Sequence, residues 1–140
     1  MKEDKCLELD RQLCFPLYTA AREVVRRYKP FLDEIGLTYT QYIVMLVLWE
    51  EGEISMHSLG ERLHLDSGTL TPLLLKLEGK NLVERRCNEK DARGLIIVLT
   101  DKGAGLKAQA REIPKKIGRC LNIGAREAVQ LKKLLGKVLG

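Results

Sequence analysis

The sequence predicts a mainly α fold with one small β-hairpin wing: a winged helix-turn-helix carried between longer terminal helices. Three observations predict it. Residues 65–103, LDSGTLTPLLLKLEGKNLVERRCNEKDARGLIIVLTDKG, hold a helix start of small polar residues, a leucine-striped helix and two β-rich runs around a charged turn. Stripes of helical period lie on both sides of this block. The net charge is +5 over 140 residues, with a pI of about 9.1, which favours polyanionic partners. In this layout one helix enters the major groove of DNA, and the wing reaches the backbone or the minor groove.

The elements follow in chain order. From about Glu8 to Lys29, Cys14, Tyr18, Ala21, Val25 and Tyr28 recur at steps of three and four, so they share a helix face. Pro16 either sets the start of this helix near Phe15 or kinks it. A short segment, Pro30 to Ile35, is stopped by Gly36. Thr38 and Gln41 form a capping box for a second helix that runs to Glu51 and ends at Gly52. Ser55 caps a short helix through Leu63, and Asp66 caps the next, whose Leu70, Leu73, Leu74 and Leu77 point inward. Leu82 to Cys87 and Leu95 to Leu99 pair as a hairpin through the loop Asn88 to Gly94. Thr100 starts a long helix to about Arg119, striped by Leu106, Ala110, Ile113 and Ile117. A last helix covers about Arg126 to Leu139.

Length suits one domain, residues 1–140. Within it the DNA-reading unit spans about 53–100, and dimerisation helices occupy about 1–35 and 101–140. A two-fold dimer buries the terminal stripes and sets two reading helices about 34 Å apart, one DNA turn. The longest apolar run, Ile43 to Trp49, is too short to span a bilayer. The opening Met1-Lys2-Glu3-Asp4-Lys5 is not a signal peptide, so a cytoplasmic protein with reduced cysteines is expected. Cys6, Cys14, Cys87 and Cys120 show no CxxC spacing, and His57 and His64 read as surface residues. No metal, cofactor or membrane partner is expected.

The expected DNA contacts are Ser67, Gly68, Thr69, Thr71, Pro72 and Lys76 on the reading helix. Hydroxyls there reach phosphates or base edges, and Gly68 permits close backbone approach. An ordinary capped helix has the same start, so the basic wing beside it carries the DNA reading. The wing offers Arg85, Arg86, Lys90 and Arg93, with Asp91 placed to orient Arg93. A solvated hairpin of mixed charge is the plainer alternative.

The chain resembles MarR-family repressors, and within them the organic-hydroperoxide-sensing, OhrR-like branch. The resemblance runs nearly end to end. It rests on Gln12-Leu13-Cys14-Phe15 with Tyr18, Tyr28-Lys29-Pro30, Leu37-Thr38-Tyr39 with Gln41-Tyr42, the run Leu65 to Pro72, Asp91-x-Arg93 and Ile113-Pro114. It implies that Cys14 reacts with organic hydroperoxide, that Tyr28 and Tyr39 hydrogen-bond its sulfur, and that Tyr18 lies nearby. A phenol hydroxyl donated to a thiolate favours that form. Taken alone, Cys14 reads as a small core residue. The resemblance also implies a resolving role for Cys120, acting across the dimer, a small-molecule thiol being the alternative. Pro16, Thr40 and Ala92 depart from the usual pattern.

The function so implied is a homodimeric repressor, not an enzyme, that leaves a pseudo-palindromic double-stranded DNA operator when hydroperoxide oxidises Cys14. The alternatives are a repressor released by a non-covalent aromatic ligand, and a thiol peroxidase.

Overall fold

The computed structural model describes residues 3–140, apart from the side chains of 91–93. It divides into two compact units: a terminal unit of residues 1–27 with 112–140, and a central unit, Tyr28–Arg111. Among the described residues no helix is long and apolar enough to cross a membrane.

In the terminal unit, the segment expected to open a helix at Glu8 forms two short 3-10 turns instead, Glu3–Leu7 and Leu9–Arg11. Helix α1 runs Cys14–Asp33. Pro16 therefore falls in its first turn, where backbone N–H groups have no helical partner and a proline loses nothing. Pro30 does not end the helix as expected: α1 passes through it to Asp33. Proline removes only its own bond to the residue four back, and the buried Leu32 just beyond it anchors the last turn.

The expected long helix after Thr100 is two helices, α5 (Asp101–Ala110) and α6 (Ile113–Cys120). Pro114, in the first turn of α6, explains the break: it cannot donate to Ala110 and its ring clashes there. Helix α7 is Ala125–Leu139. Its stripe is largely uncovered, with Leu134 58% and Val138 72% exposed.

The central unit holds the reading machinery. Helix α2 (Tyr39–Glu51) starts on the complete Thr38–Gln41 capping box and ends at Gly52, φ 78°. A strand absent from the sequence reading, β1 (Glu53–Ser55), precedes α3 (Met56–Leu63), which Ser55 caps. Helix α4 (Ser67–Gly79) starts at Asp66, whose Oδ1 accepts the Thr69 N–H at 2.8 Å. All four stripe leucines of α4 are buried, and each contributes about 1.5–3 kcal/mol. Gly60 lets α3 approach the turn before α4: a Cβ there would lie 2.8 Å from the Leu65 carbonyl oxygen.

Strand β2 is Val83–Asn88 and β3 is Asp91–Leu99. The sheet is antiparallel, ordered β1-β3-β2. The wing loop is thus shorter than expected, and β3 longer. Register slips between Cys87, opposite Leu95, and Asn88, opposite Asp91. Residues 92–94 have no counterpart in β2, a bulge that bends and twists the hairpin.

Candidate nucleic-acid interface and redox site

Helix α4 presents its polar start outward. Ser67, Gly68, Thr69, Thr71, Pro72 and Lys76 are all exposed, while the leucines between them hold the helix to the core. Thr71 donates its hydroxyl to the Ser67 carbonyl at 2.8 Å, which leaves its oxygen free to accept. Pro72 has no N–H for the Gly68 carbonyl, so that oxygen also keeps acceptor capacity on the outer face. The Asp66 carboxyl is held below the usual range, chiefly by the Thr69 backbone N–H.

The wing arginines differ from one another. Arg86 is exposed and pairs, among the described residues, with Glu84 of its own strand at 2.8 Å. Arg85, on the other face of β2, is half-buried and bound to Glu78 of α4 at 3.2 Å. Lys90 lies exposed in the turn, where its backbone N–H donates to Asn88 Oδ1 at 3.0 Å. The side chains of Asp91 and Arg93 lie outside the described residues. His57 and His64 are exposed; His57 faces Glu61 at 3.2 Å, and His64 takes φ 55° at the end of α3.

The residues assigned to sensing fall in both units. Cys14 is exposed at the first position of α1, so the plain reading of it as a core residue does not hold in the single chain. Tyr18, one turn on, is 61% exposed, with the Arg22 guanidinium 5.5 Å from its ring centre. In the central unit Tyr28 and Tyr39 meet with ring centres 5.0 Å apart. Tyr42 joins them, 5.7 Å from Tyr28, and touches Trp49 edge-on at 6.4 Å. Tyr42 is buried and was not among the residues singled out for sensing from the sequence. Burial first, then Tyr39 and Tyr42, push the Tyr28 phenol up to about 12. It therefore stays a neutral donor at any physiological pH.

Cys120 is exposed at the end of α6. Its carbonyl accepts from Arg27 Nη1, and Arg27 is steadied by Glu23 at 3.1 Å. Cys120 is thus fastened beside Arg27 of α1, thirteen residues along the helix from Cys14.

Residues 26–110 match the profile of the transcriptional regulator SarA/Rot family. The organic hydroperoxide resistance transcriptional regulator of Bacillus subtilis (strain 168) is 43% identical over 128 residues, 91% of this chain and 85% of that protein. The chain belongs to the MarR family of transcriptional regulators. A second relative is the HTH-type transcriptional regulator SarZ of Staphylococcus aureus (strain USA300). It is 46% identical over 120 residues, 86% of this chain and 81% of its own. Among solved structures, reduced AbfR bound to DNA superposes with a TM-score of 0.79 at 37% identity, over 99% of this chain and 94% of that one. AbfR, from Staphylococcus epidermidis, is also known overoxidised on DNA and in a disulfide-formed state.

Proposed function

We propose that this MarR-family chain is a homodimeric, cytoplasmic repressor that binds a pseudo-palindromic operator while Cys14 is reduced and releases it when organic hydroperoxide oxidises Cys14. The observation that carries the DNA reading is the exposed, hydroxyl-rich start of α4, set on a buried leucine stripe next to a bulged basic wing. Ser67, Gly68, Thr69, Thr71, Pro72 and Lys76 meet the major groove, and Arg86, Lys90 and the Asp91–Arg93 pair meet backbone and minor groove. Dimerisation is supported by where apolar surface is left open. Among the described residues, the exposed large apolar side chains other than Leu46 and Leu75 belong to the terminal unit. A second copy covers such a patch.

The chemistry balances in two steps. The Cys14 thiolate attacks one peroxide oxygen; an S–O bond forms, the O–O bond breaks, and an alcohol leaves with the proton. Solvent returns a proton to the sulfenate, and a second thiol then attacks the sulfenic sulfur: an S–S bond forms, the S–O bond breaks, and the hydroxide leaves with the thiol's proton as water. Peroxide is a signal here, consumed once per reduced cysteine.

The fastening of Cys120 supports a resolver acting between subunits. Thirteen residues of α1 span about 20 Å, and a disulfide requires Cα atoms within about 7 Å. Cys14 and Cys120 of one chain are far apart along α1, which favours the partner's Cys120 or a small thiol as the resolver over an intrachain bond between the two.

The test is operator binding by reduced and cumene-hydroperoxide-treated protein, with mass analysis of Cys14. Treated protein should lose DNA and run as a covalent dimer on a non-reducing gel. Cys14→Ser should bind DNA and ignore peroxide. Cys120→Ser should stop at sulfenic acid unless a small thiol is added. Normal release of Cys14→Ser by peroxide would sink the sensor assignment.

A further inference from the structure

Two adjacent arginines of β2 do different jobs. Arg86 points outward, while Arg85 turns back under the hairpin to Glu78 near the C-terminal end of α4. The contact is multiple. Arg85 donates from Nη2 to Oε1 at 3.2 Å, from Nε to both carboxylate oxygens at 3.3 Å, and from its backbone N–H to Oε2 at 3.2 Å. The side chains are only 30% and 37% exposed, which raises the value of such a pair above that of a surface contact. The clamp bridges the segment that turns α4 into the wing, where Asn81 takes φ 61° and the Leu82 N–H returns to the Leu77 carbonyl at 3.1 Å. Arg85 holds the Glu78 carboxyl below its usual range, so the pair stays charged at neutral pH.

We propose that Glu78 and Arg85 are positioning residues, a strut that sets the angle between reading helix and wing, and that Arg85 contacts no phosphate. This rests on the DNA-reading function proposed above. Helix and wing must engage one duplex together. Once α4 docks, the wing binds as an intramolecular partner, and a wing free to pivot about Asn81 has a lower effective concentration at its groove.

The experiment compares wild type, Glu78→Gln, Arg85→Ala and the charge-swapped double variant Glu78→Arg/Arg85→Glu. Each is measured for operator affinity across a salt titration and by hydroxyl-radical footprinting, with thermal unfolding as a fold check. Glu78→Gln removes a negative charge near DNA, yet it should weaken binding about five-fold, as Arg85→Ala does. Both should keep the wild-type salt slope. Both should lose protection under the wing while keeping it under α4, a pattern that general destabilisation does not produce. The charge swap should restore the wing footprint. A slope shallower by about 0.9 in Arg85→Ala, with Glu78→Gln binding as well as wild type, would overturn the strut and make Arg85 a phosphate contact. Absence of any footprint for the wild type would strike at the DNA reading itself.

Discussion

Two glycines of α5, two positions apart, should respond to the same substitution in opposite directions. Gly103 is buried where three segments converge. Its N–H donates to Thr100 Oγ1 at 3.0 Å, and its carbonyl accepts the Trp49 indole N–H at 2.8 Å. A Cβ on Gly103 would overlap the Leu82 carbonyl oxygen, which already accepts the Thr100 N–H, and would lie 2.8 Å from Leu99 Cδ1. Backbone cannot swing aside as a side-chain tip does, so the upper part of the ~1–3 kcal/mol range for overpacking applies. Alanine returns up to about 1 kcal/mol of helix propensity. The net cost of Gly103→Ala is therefore about 2 kcal/mol. A Cβ on Gly105 meets nothing within 4 Å, so Gly105→Ala keeps the gain of up to about 1 kcal/mol. For a chain of this length, 1 kcal/mol moves Tm by roughly 3–4 °C. Circular dichroism melts at one protein concentration should show Gly103→Ala about 7 °C lower and Gly105→Ala about 3 °C higher than wild type. Equal Tm values for the two variants would refute the close approach at Leu82 and the reasoning built on it.

Gly60→Ala should cost about 1 kcal/mol and weaken operator binding, because its Cβ would press on the Leu65 carbonyl and on Leu70 Cδ1 at 3.3 Å; an unchanged melt with full DNA affinity would count against tight α3–α4 packing. Arg93→Ala should weaken operator binding by about 1–3 kcal/mol at fixed salt, read by fluorescence anisotropy, with the dimer intact. Tyr28, whose folded pKa of about 12 exceeds the ordinary value of 10.0, contributes stability that is intact below pH 10. That contribution fades as pH rises towards 12, since the unfolded chain gives up the proton first. Alkaline absorbance titration of wild type and Tyr28→Phe should show the highest-pH tyrosine step missing in the variant.

Features written in a few neighbouring residues were legible in the sequence. The caps at Thr38, Ser55, Asp66 and Thr100 bond to N–H groups three residues on, and the α4 leucines repeat at helix spacing. Features decided at long range were not. Strand β1 is three residues long and exists because residues 96–98 of β3 lie beside it. The wing bulge depends on which residues pair across the hairpin, and alternation within each strand does not encode that. Pro30 and Pro114 have the same local chemistry, yet α1 continues through one and the helix breaks before the other, which neither proline's neighbours in sequence mark. At the candidate site, Cys14, Tyr28 and Tyr39 were picked out by resemblance, which carries residues but not distances. That Arg85 is bound to Glu78 was hidden because glutamate and arginine seven residues apart, across a helix end and a turn, have no pattern that marks them as partners.

Trp49 is the single tryptophan of the chain, and its position makes the protein its own optical instrument. The indole N–H is fixed on the α5 backbone, and Tyr42, edge-on beside it, links it to the phenol cluster of Tyr28 and Tyr39. Light absorbed by these phenols passes to the indole, and the colour of the emission depends on whether that N–H still meets a carbonyl or meets water. Ultraviolet fluorescence of unlabelled protein thus watches the tyrosine cluster and the root of α5 together. Peroxide added in a stopped-flow cell would time any rearrangement there against sulfenic acid formation and loss of DNA, with no dye attached to any of the four cysteines.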